Sequence, residues 1–315
     1  MVAQVNSALP NGTRLENYVI VKQLSLGGFS IVYLARDFKT RDEVVIKEFL
    51  PNNLALRMAG EMRPQVNEIN RPLFRYGLKC FFEEGKALVK LNHPNVIRVL
   101  NFFRANGTVY IVMNYEKGFS LHHYIKKQPV DEAFLRDVFT RLLDGLHEVH
   151  ANHLLHLDIK PANIYLREDQ SPVLLDFGAA RQMLEKAPLE LKPMYTPGFA
   201  SPEHYGDRSK LGTWSDIYSI GASLYNCLSK VVPPAADERQ KNDTLMPAMR
   251  RWEGQYTDRF LEIIDWCMNL NYLYRPQTVA VLQKALLDLP ELPKKGEIQW
   301  GELWRSIRKT LNTEL

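Results

Sequence analysis

The sequence predicts an α+β chain in two lobes, an antiparallel β-sheet in the N-terminal part and a mostly helical body after it. Three observations carry that expectation. Runs rich in β-branched and aromatic residues recur between residues 18 and 113, two pairs of them around short glycine-containing turns. From about Asp131 the apolar residues switch to helical spacing, and Trp214 opens a segment that is apolar nearly all round. Between the two regimes, Gly118-Phe119-Ser120 marks a boundary. A length of 315 residues suits about two domains, and 45% apolar with 24% charged residues is an ordinary globular composition.

In chain order, residues 1–13, ending Pro10-Asn11-Gly12-Thr13, read as a flexible lead-in. Tyr18-Val19-Ile20-Val21 and Ile31-Val32-Tyr33-Leu34 read as strands around Ser25-Leu26-Gly27-Gly28-Phe29-Ser30. Small residues there let backbone N–H groups approach an anion, and an ordinary hairpin turn has the same composition. Val44-Val45-Ile46-Lys47 is a third strand, ending in a lysine that in isolation is a solvated edge charge. Residues 51–76 form an extra segment, either a surface loop with two short helical pieces or a regulatory brace on the helix after it. That helix is expected over Phe81 through Leu91, with Phe81, Leu88 and Leu91 at helical spacing and Glu84 beside them. Ala105-Asn106-Gly107 is a hairpin signal between Val99–Phe103 and Thr108–Met113.

In the second part, Asp131 is the expected N-cap of a helix carrying Phe134, Leu135, Val138, Leu142, Leu146 and Val149 on one stripe. Ile164-Tyr165-Leu166 and Val173-Leu174-Leu175 are two short strands around a polar turn, so their pairing brings Asn163 near Asp176. Residues 179–195 carry no predicted regular structure. At the end of the chain, residues 291–315 read as an amphipathic helix with Trp300 and Trp304 four apart. It either packs back on the helical lobe, the favoured reading, or docks on a partner or a membrane surface.

Composition narrows the function classes. A net charge of +4 without a dense Lys/Arg run argues against a nucleic-acid surface. No stretch approaches the roughly 18 apolar residues of a membrane span, and the N-terminus lacks the basic-then-apolar pattern of a secretory signal. Cys80, Cys227 and Cys267 lie in apolar surroundings without metal-type spacing, which suits reduced core residues in a cytoplasmic compartment.

The most specific stretch is His156-Leu157-Asp158-Ile159-Lys160-Pro161-Ala162-Asn163, followed thirteen residues after Asn163 by Asp176-Phe177-Gly178. A chance match to so many fixed identities is remote. The pair resembles the catalytic and metal-binding loops of protein kinases. The resemblance continues from about Leu15 to Leu289, and the family is identified as the eukaryotic-like serine/threonine protein kinases. The insert and its lead, Lys47-Glu48-Phe49-Leu50-Pro51, are similar to a group found in bacteria. This implies a bilobal protein-kinase-like fold, with an N-lobe over 14–116 and a C-lobe over 117–290. It also implies ATP-dependent transfer of the γ-phosphate to Ser or Thr hydroxyls of a protein substrate, supported by Mg²⁺ or Mn²⁺.

The resemblance also implies roles. Asp158 accepts or orients the hydroxyl proton, Lys160 lies against the γ-phosphate, and Asn163 and Asp176 offer oxygen ligands to the metal. Lys47 holds the α- and β-phosphates, and Glu84, 37 residues on, holds Lys47. Ser25, Gly27, Gly28 and Val32 belong to the phosphate-covering loop, where of the family's three glycines only the middle one is kept, as Gly27. Met113 guards the back pocket, the Asn114 carbonyl and Glu116 N–H read the adenine edge, and Val45 and Tyr165 close the purine slot from above and below. Thr196-Pro197-Gly198-Phe199-Ala200-Ser201-Pro202-Glu203 is the substrate-docking end of the activation segment. Glu203 pairs with Arg275, and a buried Asp216 bonds the catalytic-loop backbone.

The departures bear on regulation and on the slot. Leu157 replaces the arginine that receives an activation-loop phosphate, and no Ser or Thr lies between Gly178 and Thr196. Activity is therefore expected without phosphorylation of that loop. Val45 replaces the usual alanine and Tyr165 the usual apolar floor residue, so the slot is expected to be tight. Two other function classes fit parts of the pattern. A pseudokinase binding module is favoured by the altered glycine loop and opposed by intact Lys47, Glu84, Asp158, Asn163 and Asp176. A small-molecule phosphotransferase shares the His-x-Asp loop but typically lacks the Ala200–Glu203 segment with its Arg275 partner.

Overall fold

The computed structural model describes residues 6–177 and 195–289. Strands β1 (Arg14–Leu15), β2 (Tyr18–Leu26), β3 (Ser30–Asp37), β4 (Glu43–Phe49), β5 (Val99–Ala105) and β6 (Thr108–Asn114) form a six-stranded sheet in the order β1-β2-β3-β4-β6-β5. Every pairing in it is antiparallel. Successive side chains on a strand point to opposite faces, so β4 directs Val45 and Lys47 one way and buries Val44, Ile46 and Glu48 on the other. The register sets Lys47 opposite Val32 and Val45 opposite Met113, which gathers four expected site residues on one face. Asn106 (φ 51°) and Gly107 (φ 76°) make the hairpin between β5 and β6, with both central residues in the left-handed region that the tight turn demands.

Helix α1 (Arg71–Leu88) begins ten residues before the expected Phe81 and ends before Leu91. Pro72 sits in the first turn, where its missing N–H has no helical partner to lose. The extra segment therefore ends at Asn70. It contains turns and an antiparallel bridge between Leu56 and Gln65 where short helical pieces were expected. The flexible lead-in is also corrected: from Asn6 onward the chain is tied down, with Asn6 and Leu9 buried and the Asn6 amide bonded to Leu50, Asn52 and Ala55.

Past β6, strands β7 (Gly118–Ser120), β8 (Ile164–Arg167) and β9 (Pro172–Leu174) form a small antiparallel sheet. Gly118, at φ 151°, lies so close to β8 that an added Cβ would stand 2.0 Å from the Leu166 carbonyl oxygen. Helix α2 (Leu121–Lys127) precedes α3 (Glu132–Ala151), whose Asp131 cap accepts from the Phe134 N–H at 2.9 Å. The rest is helical: α4 (Pro202–Tyr205), α5 (Thr213–Ser229), α6 (Ala236–Lys241), α7 (Ala248–Arg251), α8 (Asp258–Cys267) and α9 (Val279–Leu287). Helix α5 is buried along most of its length, with α8 and α9 against it and α3 against α9.

Cys80, Cys227 and Cys267 are buried and free. No helix among the described residues is long and apolar enough to cross a membrane. The expected C-terminal amphipathic helix and residues 179–194 lie outside the described residues.

Candidate active site

Local strain and its restraint shape the site. Leu157 (φ 61°) and Asp176 (φ 53°) both occupy the left-handed region, which for such residues costs on the order of 1–3 kcal/mol each and persists only where the surroundings over-determine it. The restraint on Leu157 is Asp216, in the first turn of α5 and fully buried. Its carboxylate accepts from the His156 N–H at 2.9 Å, the Leu157 N–H at 2.7 Å and His150 Nε2 at 2.8 Å. Burial opposes ionisation of Asp216, yet those donors outweigh it and hold the carboxyl below its usual range.

His156 joins the two loops. Its Nε2 lies 2.8 Å from the Leu175 carbonyl, which can only accept, so Nε2 carries the proton; Nδ1 then accepts from the Asp158 N–H at 3.2 Å. Full burial lowers its pKa and favours this neutral form. The imidazole is thus a staple between Asp158 and the residue before Asp176. The Leu175 N–H donates to the Asn163 carbonyl at 2.8 Å, bringing the two loops together as the strand pairing predicts.

At the centre, Lys160 Nζ lies 2.9 Å from Asp158 Oδ2 and 2.6 Å from Thr196 Oγ1. The Thr196 hydroxyl donates to Asp158 Oδ1 at 2.8 Å. The Asn163 side-chain amide donates to the Asp158 carbonyl at 2.9 Å and to Oδ2 at 3.1 Å, which commits its nitrogen and leaves its oxygen as the group for a cation. Lys47 Nζ bonds Asp176 Oδ1 at 2.9 Å, and this ammonium holds the half-exposed Asp176 carboxyl below the ordinary range. Glu84 is buried on α1.

Beside this cluster lies a cavity of about 590 Å³. Its wall includes Ser25, Val32, Val45, Met113, Asn114, Glu116, Tyr165 and Asp176 from the expected set. Gly27 and Gly28 are in the turn above, closed by a Gly27 N–H to Ser30 carbonyl bond at 2.9 Å; Lys47 reaches the wall through Asp176. Tyr165 serves as a wall residue because its ring lines the cavity while its hydroxyl donates to the Gly118 carbonyl at 2.7 Å.

Sequence reasoning missed Leu24, Ile97, Tyr115, Ser120, Ala162 and Leu175 in the same wall. Ala162 and Leu175 adjoin Asn163 and Asp176 and were open to inference, whereas Ile97, just before β5, and Ser120, at the end of β7, carry no chemical signature. Also missed was the fork between Arg167 and Glu116, at 2.7 and 3.1 Å, which clamps β8 to the segment after β6. The expected pair of Glu203 and Arg275 is present and buried, at 2.9 and 3.0 Å, and Ser215 donates to the same carboxylate at 3.0 Å.

A curled antiparallel sheet set over a helical body, with this pair of loops between them, defines the protein-kinase fold. The family model for the protein kinase domain matches residues 18–287, and the chain belongs to that family. Among solved structures, the chain is similar to the apo form of PpkA-294, at 33% identity and a TM-score of 0.80, with 89% of this chain and 99% of that one covered. The PknI kinase domain of Mycobacterium tuberculosis shares the fold at 18% identity and a TM-score of 0.68, with 89% and 99% covered. Serine/threonine-protein kinase B of Synechocystis is 29% identical over 305 residues, 92% of this chain and 49% of that protein. Human serine/threonine-protein kinase Nek2 is 34% identical over 219 residues, 65% of this chain and 49% of that protein. The chain thus spans about half the length of these curated relatives.

Proposed function

We propose that this chain is an ATP-dependent serine/threonine protein kinase that works in the cytoplasm, with an N-lobe over residues 14–116 and a C-lobe over residues 117–290 that hold the nucleotide between them. The observation that carries the reading is the Asp158 carboxylate, fixed by Lys160 and Asn163 and already accepting a hydroxyl, that of Thr196, at 2.8 Å. A carboxylate that can take a hydroxyl at hydrogen-bond distance can orient the acceptor oxygen and receive its proton as the oxygen attacks. Lys160, with its ammonium beside that carboxylate, is the cation that would stabilise the transferring phosphoryl group.

Asn163 and Asp176 suit a hard divalent cation, since one offers an amide oxygen and the other a carboxylate kept ionised by Lys47. Mg²⁺, or Mn²⁺ in its place, supplies charge neutralisation of the nucleotide phosphates when bound. Lys47 would hold the α- and β-phosphates with Glu84 behind it. The purine would lie in the cavity between Val45 and Tyr165, its edge against the Asn114 carbonyl and the Glu116 N–H and its back limited by Met113, with Ser25, Gly27, Gly28 and Val32 above the phosphates. The buried Glu203–Arg275 pair supports a protein substrate over a small molecule, because it fixes the chain on which a peptide would dock.

The direct test is incubation with labelled ATP, Mg²⁺ and a panel of generic protein substrates. Label is expected on Ser or Thr and is expected to vanish with a chelator. Incorporation on tyrosine alone, or none under any metal condition, would contradict the reading.

The same reading includes activity without activation-loop phosphorylation. Leu157, buried and uncharged, offers no cation to a loop phosphate. Phosphatase-treated protein is therefore expected to retain the turnover of untreated protein. Loss of turnover together with a mapped phosphate in residues 179–195 would show that the loop does require modification.

A further inference from the structure

The phosphate-covering loop is held from a direction that its own sequence does not announce. The Leu50 N–H donates to the Phe29 carbonyl and the Asn52 N–H to the Gly28 carbonyl, both at 2.9 Å, so the β3–β4 ladder runs on past Phe49 into the tip of the loop. A trans peptide is planar with its C=O and N–H opposed. With the carbonyls of Gly28 and Phe29 aimed at the insert, the N–H groups of Phe29 and Ser30 point away from it. Backbone N–H groups in a fixed direction are what a loop uses to hold phosphate.

Asn52 is itself latched. Its side-chain oxygen accepts from the Asn6 amide at 2.8 Å, and that amide also donates to the Ala55 carbonyl at 3.2 Å. The Asn6 oxygen accepts from the Arg57 N–H at 2.6 Å. Arg57, almost wholly buried, forks onto Glu48 at 2.6 and 2.7 Å and donates to the Ser7 carbonyl at 2.8 Å. Glu48 follows Lys47 on β4. A continuous line of bonds therefore runs from the strand that carries Lys47, through Arg57, Asn6 and Asn52, to the Gly28 carbonyl.

We propose that the insert of residues 51–70 and the segment around Asn6 form a tether that presets the phosphate-covering loop for nucleotide, with Asn6 and Asn52 as positioning residues. The proposal rests on the kinase reading above. It accounts for a loop with serines at two of the family's glycine positions: a loop anchored from outside needs less freedom of its own. Preorganisation lowers the ordering cost of binding, so loss of the tether should weaken nucleotide affinity more than turnover at saturation.

The test uses the full chain and titrates Mg²⁺-ADP calorimetrically, alongside KM for ATP and for a protein substrate. Asn6→Ala and Asn52→Ala are each expected to weaken ADP binding and raise KM for ATP by about three- to tenfold, the scale of one or two hydrogen bonds. KM for the protein substrate should not move. Asn52→Asp keeps an oxygen to accept from Asn6 and is expected to bind ADP within about twofold of the wild type. Alanine variants that melt earlier yet bind ADP like the wild type would overturn the tether and leave a purely structural latch. An Asn52→Asp variant as weak as Asn52→Ala would also overturn it. Wild-type protein that binds no nucleotide at all would instead remove the kinase reading, and this inference with it.

Discussion

Asp158→Asn is expected to lower phosphate transfer on the order of 10²-fold or more, with the fold and nucleotide affinity intact. Asparagine has nearly the same shape and can still accept from Thr196 on one side. It carries no charge to pair with Lys160, which in the wild type sits 2.9 Å from Asp158 Oδ2. Its amide nitrogen cannot accept from Asn163, and neither of its side-chain groups is a useful base at neutral pH. Asp158 is outside the cavity wall, so Mg²⁺-ADP titration should give the wild-type affinity. The decisive measurement is kcat on a generic Ser/Thr substrate, with a melting curve as control. An Asp158→Asn protein that turns over like the wild type would remove Asp158 from the chemistry.

Arg57→Met is expected to be the most damaging single change far from that chemistry. Glu48 has no solvent-exposed side-chain surface, and the guanidinium that neutralises it is equally enclosed. The hydroxyls of Tyr33 and Tyr110 also donate to Glu48, at 2.7 and 2.9 Å, but hydroxyls do not neutralise a buried carboxylate. Burial first, and proximity to Glu48 second, push the Tyr33 and Tyr110 hydroxyls well above their usual pKa, so both remain donors. Removing one partner of a buried ion pair typically costs about 3–5 kcal/mol. For a domain of this size that lowers the melting temperature by on the order of 10 °C. The double variant Glu48→Gln, Arg57→Met should recover part of the loss, because the two sites are in contact and their effects cannot add. A single variant that melts with the wild type would show that the pair contributes nothing net to stability.

Several elements were legible from short stretches of chain. The Asn106-Gly107 hairpin follows from two residues that tolerate positive φ, and the start of α3 from an aspartate beside an apolar stripe. Asp158, Lys160, Asn163 and Asp176 were legible for another reason. The chemistry expected of them calls for side chains on two short loops, and the strand pairing that joins those loops is itself local. Where the sequence misled, the local signal was ambiguous: Pro72 looks the same whether it opens a helix or ends one, and the polar residues around Asn6 look the same tied or free.

By itself, then, the sequence determined the two-lobed α+β class, the strands and hairpin of the sheet, and the meeting of the Asp158 loop with the Asp176 loop, because each rests on periodicity or on groups that pair at short range. Alternation along β4 even set Glu48 on the face opposite Lys47. Only the tertiary structure decided that this face is covered, that Arg57 and Asn6 are what cover it, and that Arg167 clamps Glu116 from 51 residues away. A charged or amide side chain reads as a surface residue until the chain that buries it is in place. Whether it stays ionised, which partner it takes and what it holds still depend on desolvation and on contacts that no local pattern encodes.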